Sequence, residues 1–227
     1  MLHHQREKKS TTVGNNLKRK FLSLLDDSDA LFAKFDFSYR LNSIEAMNQF
    51  EQLPRFQKKE IIAQLIHYNE SLKNTPFLKG QTPSEQQMLW QALGEFELRT
   101  PENIYAAVSD ESQIEIYDLQ NIQIWRNFNV LKICSYTLAD ILCFTWEERY
   151  HREDVYSSMI LERVGEALQG KYSDISTVPY HHVQEKFSCA KYLLGVKHRS
   201  FFPLFTPRGD VNAFCVVSEV DVLSSHA

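Results

Sequence analysis

Residues 114–127 read Ile114-Glu115-Ile116-Tyr117-Asp118, then Leu119-Gln120-Asn121, then Ile122-Gln123-Ile124-Trp125-Arg126-Asn127. Apolar and polar side chains alternate on both sides of a short polar break. That is the period of half-buried strands joined by a turn. Downstream, Ser135-Tyr136-Thr137-Leu138-Ala139-Asp140-Ile141-Leu142 reads as a polar-capped helix, and Trp146 and Arg152-Glu153-Asp154 follow it. Asp154 is expected to cap a longer helix from Val155 to Leu168, with Gly170 as its stop. Three further strands are expected. One holds Val183, Glu185 and Phe187, a second runs from Val196 to Phe205, and a third runs from Val211 to Val220. Thr206-Pro207-Arg208-Gly209-Asp210 is read as the hairpin turn between the last two.

Upstream of Ile114 the pattern is helical. Phe21, Leu22, Leu24, Leu25, Leu31, Phe32, Phe35 and Phe37 form a dense apolar segment. Asp26-Asp27-Ser28-Asp29 interrupts it and reads as the cap of a second short helix. Ser43 opens a helix through Ile44, Met47 and Phe50. Pro54 opens another, whose stripe runs through Phe56, Ile61, Ile62, Leu65, Ile66, Asn69 and Leu72. Thr82-Pro83-Ser84-Glu85 has the form of a capping box with Thr82 as cap, ahead of Met88, Leu89, Ala92, Leu93 and Phe96. Thr100-Pro101-Glu102 repeats the device for a shorter helix through Ile104, Tyr105 and Val108. No repeat period is present. Amphipathic helices of this kind need an apolar surface to cover, in their own body or in a second copy, and a homodimer through them is expected.

The chain has 227 residues, 43% of them hydrophobic and 24% charged, so a buried core is expected rather than disorder. Residues 1–20 carry Arg6, Lys8, Lys9, Lys18, Arg19 and Lys20 against Glu7 alone, a net +5. With −4 overall, the remaining residues sum to −9. An acidic body offers nucleic acid no general attraction, so only the basic start could supply it. Cys134, Cys143, Cys189 and Cys215 contain no CxxC pair and read as reduced thiols of a cytoplasmic protein. No signal peptide and no membrane span is expected.

Several motifs in residues 112–223 resemble those of PAS sensory domains, in which two strands, helices and three strands follow one another. Asn127 and Phe128 after the second strand, and the Ser135-Tyr136-Thr137 step, are similar to that family's Asn-aromatic and Gly-Tyr-Ser/Thr elements, with Ser135 in place of Gly. Trp146, His151 and Arg152-Glu153-Asp154 resemble its aromatic and "His/Pro-Glu-Asp" step. Gly209 and Glu219-Val220-Asp221-Val222 resemble its final turn and closing segment. The resemblance covers about half the chain. It implies an α+β fold with a basic flexible tail (1–20), a helical region for dimerisation or partner binding (21–110) and a PAS-like domain (111–223). The domain would be a five-stranded antiparallel sheet with helices on one face. It also implies a ligand site between sheet and helices, for which the candidates are Trp125, Asn127, Phe128, Tyr136, Phe144, Trp146, Met159, Phe187 and Phe202. Filling a core with no cavity is the competing role for these aromatics.

Catalytic motifs are absent: there is no Gly-x-Ser-x-Gly, no His-Glu-x-x-His and no glycine-rich phosphate loop. His181 and His182 are adjacent on an expected strand and so point to opposite faces, which rules them out as joint ligands of one metal. Flavin photoreceptors of the family need Asn-Cys-Arg-Phe-Leu-Gln, and Cys143-Phe144 lacks that context. Haem-binding members place a His on the long helix, and Val155–Leu168 has none. The expectation is therefore a non-enzymatic bacterial sensor without a resident cofactor. It would bind a small molecule or a signalling protein and pass its output through the N-terminal helices or a separate partner, since nothing resembling an output domain follows Leu223. Two other readings stand beside it: a DNA-associated transcriptional regulator using the basic start, and a haem- or flavin-bearing redox or light sensor.

Overall fold

The computed structural model describes residues 2–76, 83–101, 103–171 and 178–225, with side chains from residue 16 onward. Five helices come first: α1 (Leu2–Lys34), α2 (Ile44–Gln52), α3 (Arg55–Asn74), α4 (Glu85–Glu95) and α5 (Ile104–Ala107). Strands β1 (Gln113–Asp118) and β2 (Gln123–Arg126) follow, then α6 (Phe128–Ile133), α7 (Leu138–Cys143), α8 (Trp146–Arg149), β3 (Tyr150–His151) and α9 (Asp154–Leu168). Strands β4 (His181–Glu185), β5 (Leu193–Phe205) and β6 (Val211–Ser224) complete the order. All strands join one antiparallel sheet, in the order β2-β1-β6-β5-β4-β3. The sheet has six strands rather than five. The extra one is the two-residue β3, which pairs Tyr150 with Glu185 and His151 with Gln184 at the edge.

Local chemistry sets the turns. Asp118 Oδ1 accepts from the backbone N–H groups of Gln120 and Ile122, and Asn121 takes φ +64°, which bends β1 into β2. Gly209 takes φ +93° in the β5–β6 hairpin, closed by Thr206 N–H to the Asp210 carbonyl. The caps of α4, α5 (Asn103 rather than Thr100) and α9 differ from expectation, as does one strand boundary. Thr82 lies outside the described residues, and Ser84 caps α4, with Gln87 completing the box. Glu153, not Asp154, occupies the cap position of α9 and makes no side-chain cap bond. Phe187 falls just beyond β4.

Asp26-Asp27-Ser28-Asp29 starts no second helix, because α1 runs straight through it. Ser28, fully buried, shares its one hydroxyl proton between Asn69 Oδ1 of α3 at 2.7 Å and the Leu24 carbonyl one turn back at 3.0 Å. Asn69 in turn donates to the same Leu24 carbonyl. The serine that reads as a cap is an interhelical clasp. The helix ends where Asp36 takes φ +53° and Phe37 N–H reaches back to the Phe32 carbonyl.

Helices cover the sheet on both faces, not one. Along β1 and β6, Ile114, Ile116, Cys215 and Val217 point to one side and share a core with Phe21, Phe32, Leu65, Met88 and the α7 residues Leu138 and Ile141. Tyr117, Phe214, Val216 and Phe201 point to the other side and pack on Ile160, Val164 and Ala167 of α9. The segments after Tyr136 therefore divide, α7 to the N-terminal helices and α9 to the opposite face. Ala213-Phe214-Cys215-Val216-Val217 is buried without a break, as a strand with both faces covered must be.

Candidate functional site

Under α9, the second face of the sheet leaves a cavity of about 90 Å³. Its floor is a polar row across three strands, Gln113 of β1, Ser218 of β6 and His198 of β5, which are cross-strand neighbours. Glu115, Tyr117, Phe201, Phe214 and Val216 continue the floor. The roof is Ile160, Leu161 and Val164, and Trp146, Tyr150 and Arg152 close one side. Arg152 lies over the Trp146 ring, 5.1 Å from its centroid. The cavity has room for a handful of waters or a molecule of a few heavy atoms, well short of the ~300–1,000 Å³ of drug-sized sites. Haem or flavin does not fit that volume.

Polar atoms of this wall lack partners. Arg152 Nε, His198 Nε2 and Gln113 Oε1 are buried without a hydrogen bond. His198 Nδ1 is engaged, 2.8 Å from Ser218 Oγ, so the free ring nitrogen is Nε2. Burial lowers the His198 pKa well below its ordinary value, helped by the charge of Arg152, and the ring stays neutral. His181, stacked on Tyr156 and 5.5 Å from His198 between ring centroids, is lowered for the same leading reason. His182 is exposed on the other side of β4. Among the described residues no group of three or more His, Cys, Asp and Glu is placed to hold a metal.

Two more arginines stand close to this wall, and sequence pattern gave no sign of their burial. Arg126 is 0% and Arg149 2% exposed. Arg126 gives one hydrogen bond, to the Gln123 carbonyl, and lies over the Tyr68 ring of α3 at 5.2 Å. Arg149 gives one, to Gln123 Oε1 at 3.1 Å, and lies over Tyr150 and Tyr136. The Nε atoms of both, and Nη1 of Arg126, are unpartnered. Neither has a carboxylate at ion-pair distance among the described residues. The nearby acids are already engaged. Glu115 accepts from Gln123 Nε2 and the Tyr117 hydroxyl. Glu185, 1% exposed, accepts from Ser135 N–H and hydroxyl, the Ser188 hydroxyl and Tyr192 N–H.

Of the nine residues singled out from sequence, Trp146 lines this cavity and Met159 packs beside it on α9. Trp125, Phe128 and Phe202 face the N-terminal helices, with Trp125 Nε1 donating to Ser71 Oγ of α3. Phe144 and Phe187 pack on each other and on that same core. Tyr136 gives its hydroxyl to the Arg149 carbonyl and receives Lys186 N–H, which ties the β3–β4 edge. Asn127 is spent on structure. Its Oδ1 accepts from Ile114 N–H and Val130 N–H, and its Nδ2 donates to Glu85 Oε2 and the Ser112 carbonyl. Most of the lining instead comes from β-strand residues whose neighbours across strands only folding defines.

Two further clefts, between α1 and α3 and beside Tyr39 and Cys189, have volumes of about 320 and 360 Å³. They are wider but open to solvent, and among the described residues no buried unpaired polar atom belongs to their lining. The cavity under α9 is the candidate site. Compared with models of known protein families and with curated proteins, the chain has no significant match.

Proposed function

We propose that the protein is a non-enzymatic, cytoplasmic sensory or regulatory protein of the PAS kind, in which a small molecule occupies the cavity under α9 and alters how the sheet packs on the N-terminal helices. The observation that carries this reading is the cavity itself: partly open, mostly apolar, and holding buried polar atoms without partners. The element order supports it, since two strands, a run of helices interrupted by the two-residue β3, and three strands form one antiparallel sheet. Four unpaired cysteines suit a reducing compartment.

A physical route joins the cavity to the helices. Glu115 on the cavity floor holds Gln123, and Gln123 holds both Arg149 and, through its carbonyl, Arg126. Arg126 lies over Tyr68 of α3, and Trp125 beside it bonds Ser71 of the same helix. A ligand that prefers one arrangement of this buried chain shifts the population of helix packings, and with it a dimer or partner surface. The test is native mass spectrometry of freshly purified protein, followed by Trp146→Ala. A retained small molecule that is lost or weakened about tenfold in the variant is expected. Unchanged retention in Trp146→Ala would sink the assignment of the pocket.

A further inference from the structure

The Arg152 guanidinium lines the cavity, and those of Arg149 and Arg126, linked through Gln123 to Glu115 of its floor, are buried nearby. An arginine buried without a contact ion pair costs several kcal/mol, so a fold that retains such groups has a use for them or a partner to add. Glu115 and Glu185 are the neighbouring carboxylates: Glu185 takes donors on both oxygens, and Glu115, whose charge reaches all three arginines, takes its two side-chain donors on Oε1. What two of the cavity's donors lack is an acceptor within hydrogen-bond reach. Arg152 Nε and His198 Nε2 are both without one, and Arg152 is the charged group that acts most strongly on His198.

Resting on the reading of the cavity as a ligand site, we propose that its occupant is a small organic carboxylate, held by the Arg152 guanidinium and the His198 Nε2–H. The neutral tautomer that donates from Nε2 is the one in which Ser218 gives its hydroxyl to Nδ1, and the 2.8 Å contact between them suits it. The planar guanidinium fork matches a carboxylate, and stacking on Trp146 fixes the plane of Arg152. The aliphatic roof of Ile160, Leu161 and Val164 takes a short hydrocarbon tail. The volume of about 90 Å³ confines that tail to a few carbons. Gln113 Oε1, the remaining unpaired atom, is an acceptor placed for a hydroxyl or water beside the ligand.

The test is calorimetric titration and thermal shift of the full chain with sodium acetate, propionate and butyrate against acetamide, propionamide and butyramide at matched ionic strength. At least one carboxylate is expected to bind and raise Tm, with its amide about 10- to 100-fold weaker, the worth of a charge-assisted hydrogen bond. Arg152→Gln should lose the preference for carboxylate over amide, and Arg152→Lys should recover part of it. Equal binding of acids and amides, or a preference that survives Arg152→Gln, overturns the anion assignment and leaves the cavity reading standing. No binding of either series overturns the anion assignment as well. If native mass spectrometry also finds nothing retained, the cavity reading falls with it. The acid–amide comparison on the unaltered protein decides the matter even where a variant does not fold.

Discussion

Glu85 illustrates how a single buried carboxyl couples folding to pH. Burial pushes its pKa up to about 7 from an ordinary 4.5, although the Asn127 Nδ2 donor pulls the other way. The folded chain thus binds this proton more tightly than the unfolded one. The sign follows: the Glu85 contribution is most favourable below pH 4.5 and is lost as pH rises through about 7. Glu85→Gln keeps an acceptor for Asn127 and removes the charge. It should stabilise the protein by ~1–3 kcal/mol at pH 8 and by almost nothing at pH 4.5, as read from urea midpoints at the two pH values. Glu185 is a buried carboxylate on which several donors converge. Glu185→Ala strands the Ser135 and Tyr192 N–H groups and the Ser188 hydroxyl. A loss of ~2–4 kcal/mol is expected in denaturant unfolding, and a loss below ~0.5 kcal/mol would refute its role as a staple.

Among the elements, α9 and the sheet behind it decide whether the cavity exists. Val164 of α9 roofs the cavity, and a larger side chain there enters existing space. Val164→Phe should leave stability within ~1.5 kcal/mol of the parent while abolishing binding of any ligand that the cavity takes. Retained binding in a folded Val164→Phe protein would place the ligand elsewhere. The elements also mark where the sequence was legible. Alternation in Ile114–Asp118 and Ile122–Arg126 placed β1 and β2, and turn chemistry at Asp118–Asn121 and Gly209 placed the hairpins. The unbroken apolar run Ala213–Val217 carried the sign of a strand covered on both faces, against the expectation of helices on one. Ser28 was misread because a serine after two aspartates has the same local chemistry in a cap as in a back-bonded helix interior. The hydrogen bond to Asn69, 41 residues away, makes the difference.

For the whole molecule, one core runs from Phe21 of α1 to Val217 of β6 without a gap. The N-terminal helices are therefore a wall of the fold that the sheet depends on. Unfolding should be a single transition, with far-UV and near-UV circular dichroism melting together. Separate transitions for helix and tertiary signals would show that the helices form a unit of their own. Among the described residues no helix is long and apolar enough to cross a membrane.

The sequence by itself determined the class of fold, the succession of helices and strands and most of their turns. These rest on period, caps and glycine or asparagine at left-handed positions, all properties of neighbours in the chain. Only the tertiary structure decided which sheet face meets which helix, that Asn127 is a staple, and that Arg152 and His198 line one cavity. Those two residues lie 46 positions apart along the chain, and pairing of β3 with β4 and of β4 with β5 is what brings their surroundings together. A buried charge without a partner leaves no local trace in sequence, because its cost arises from what the fold places around it.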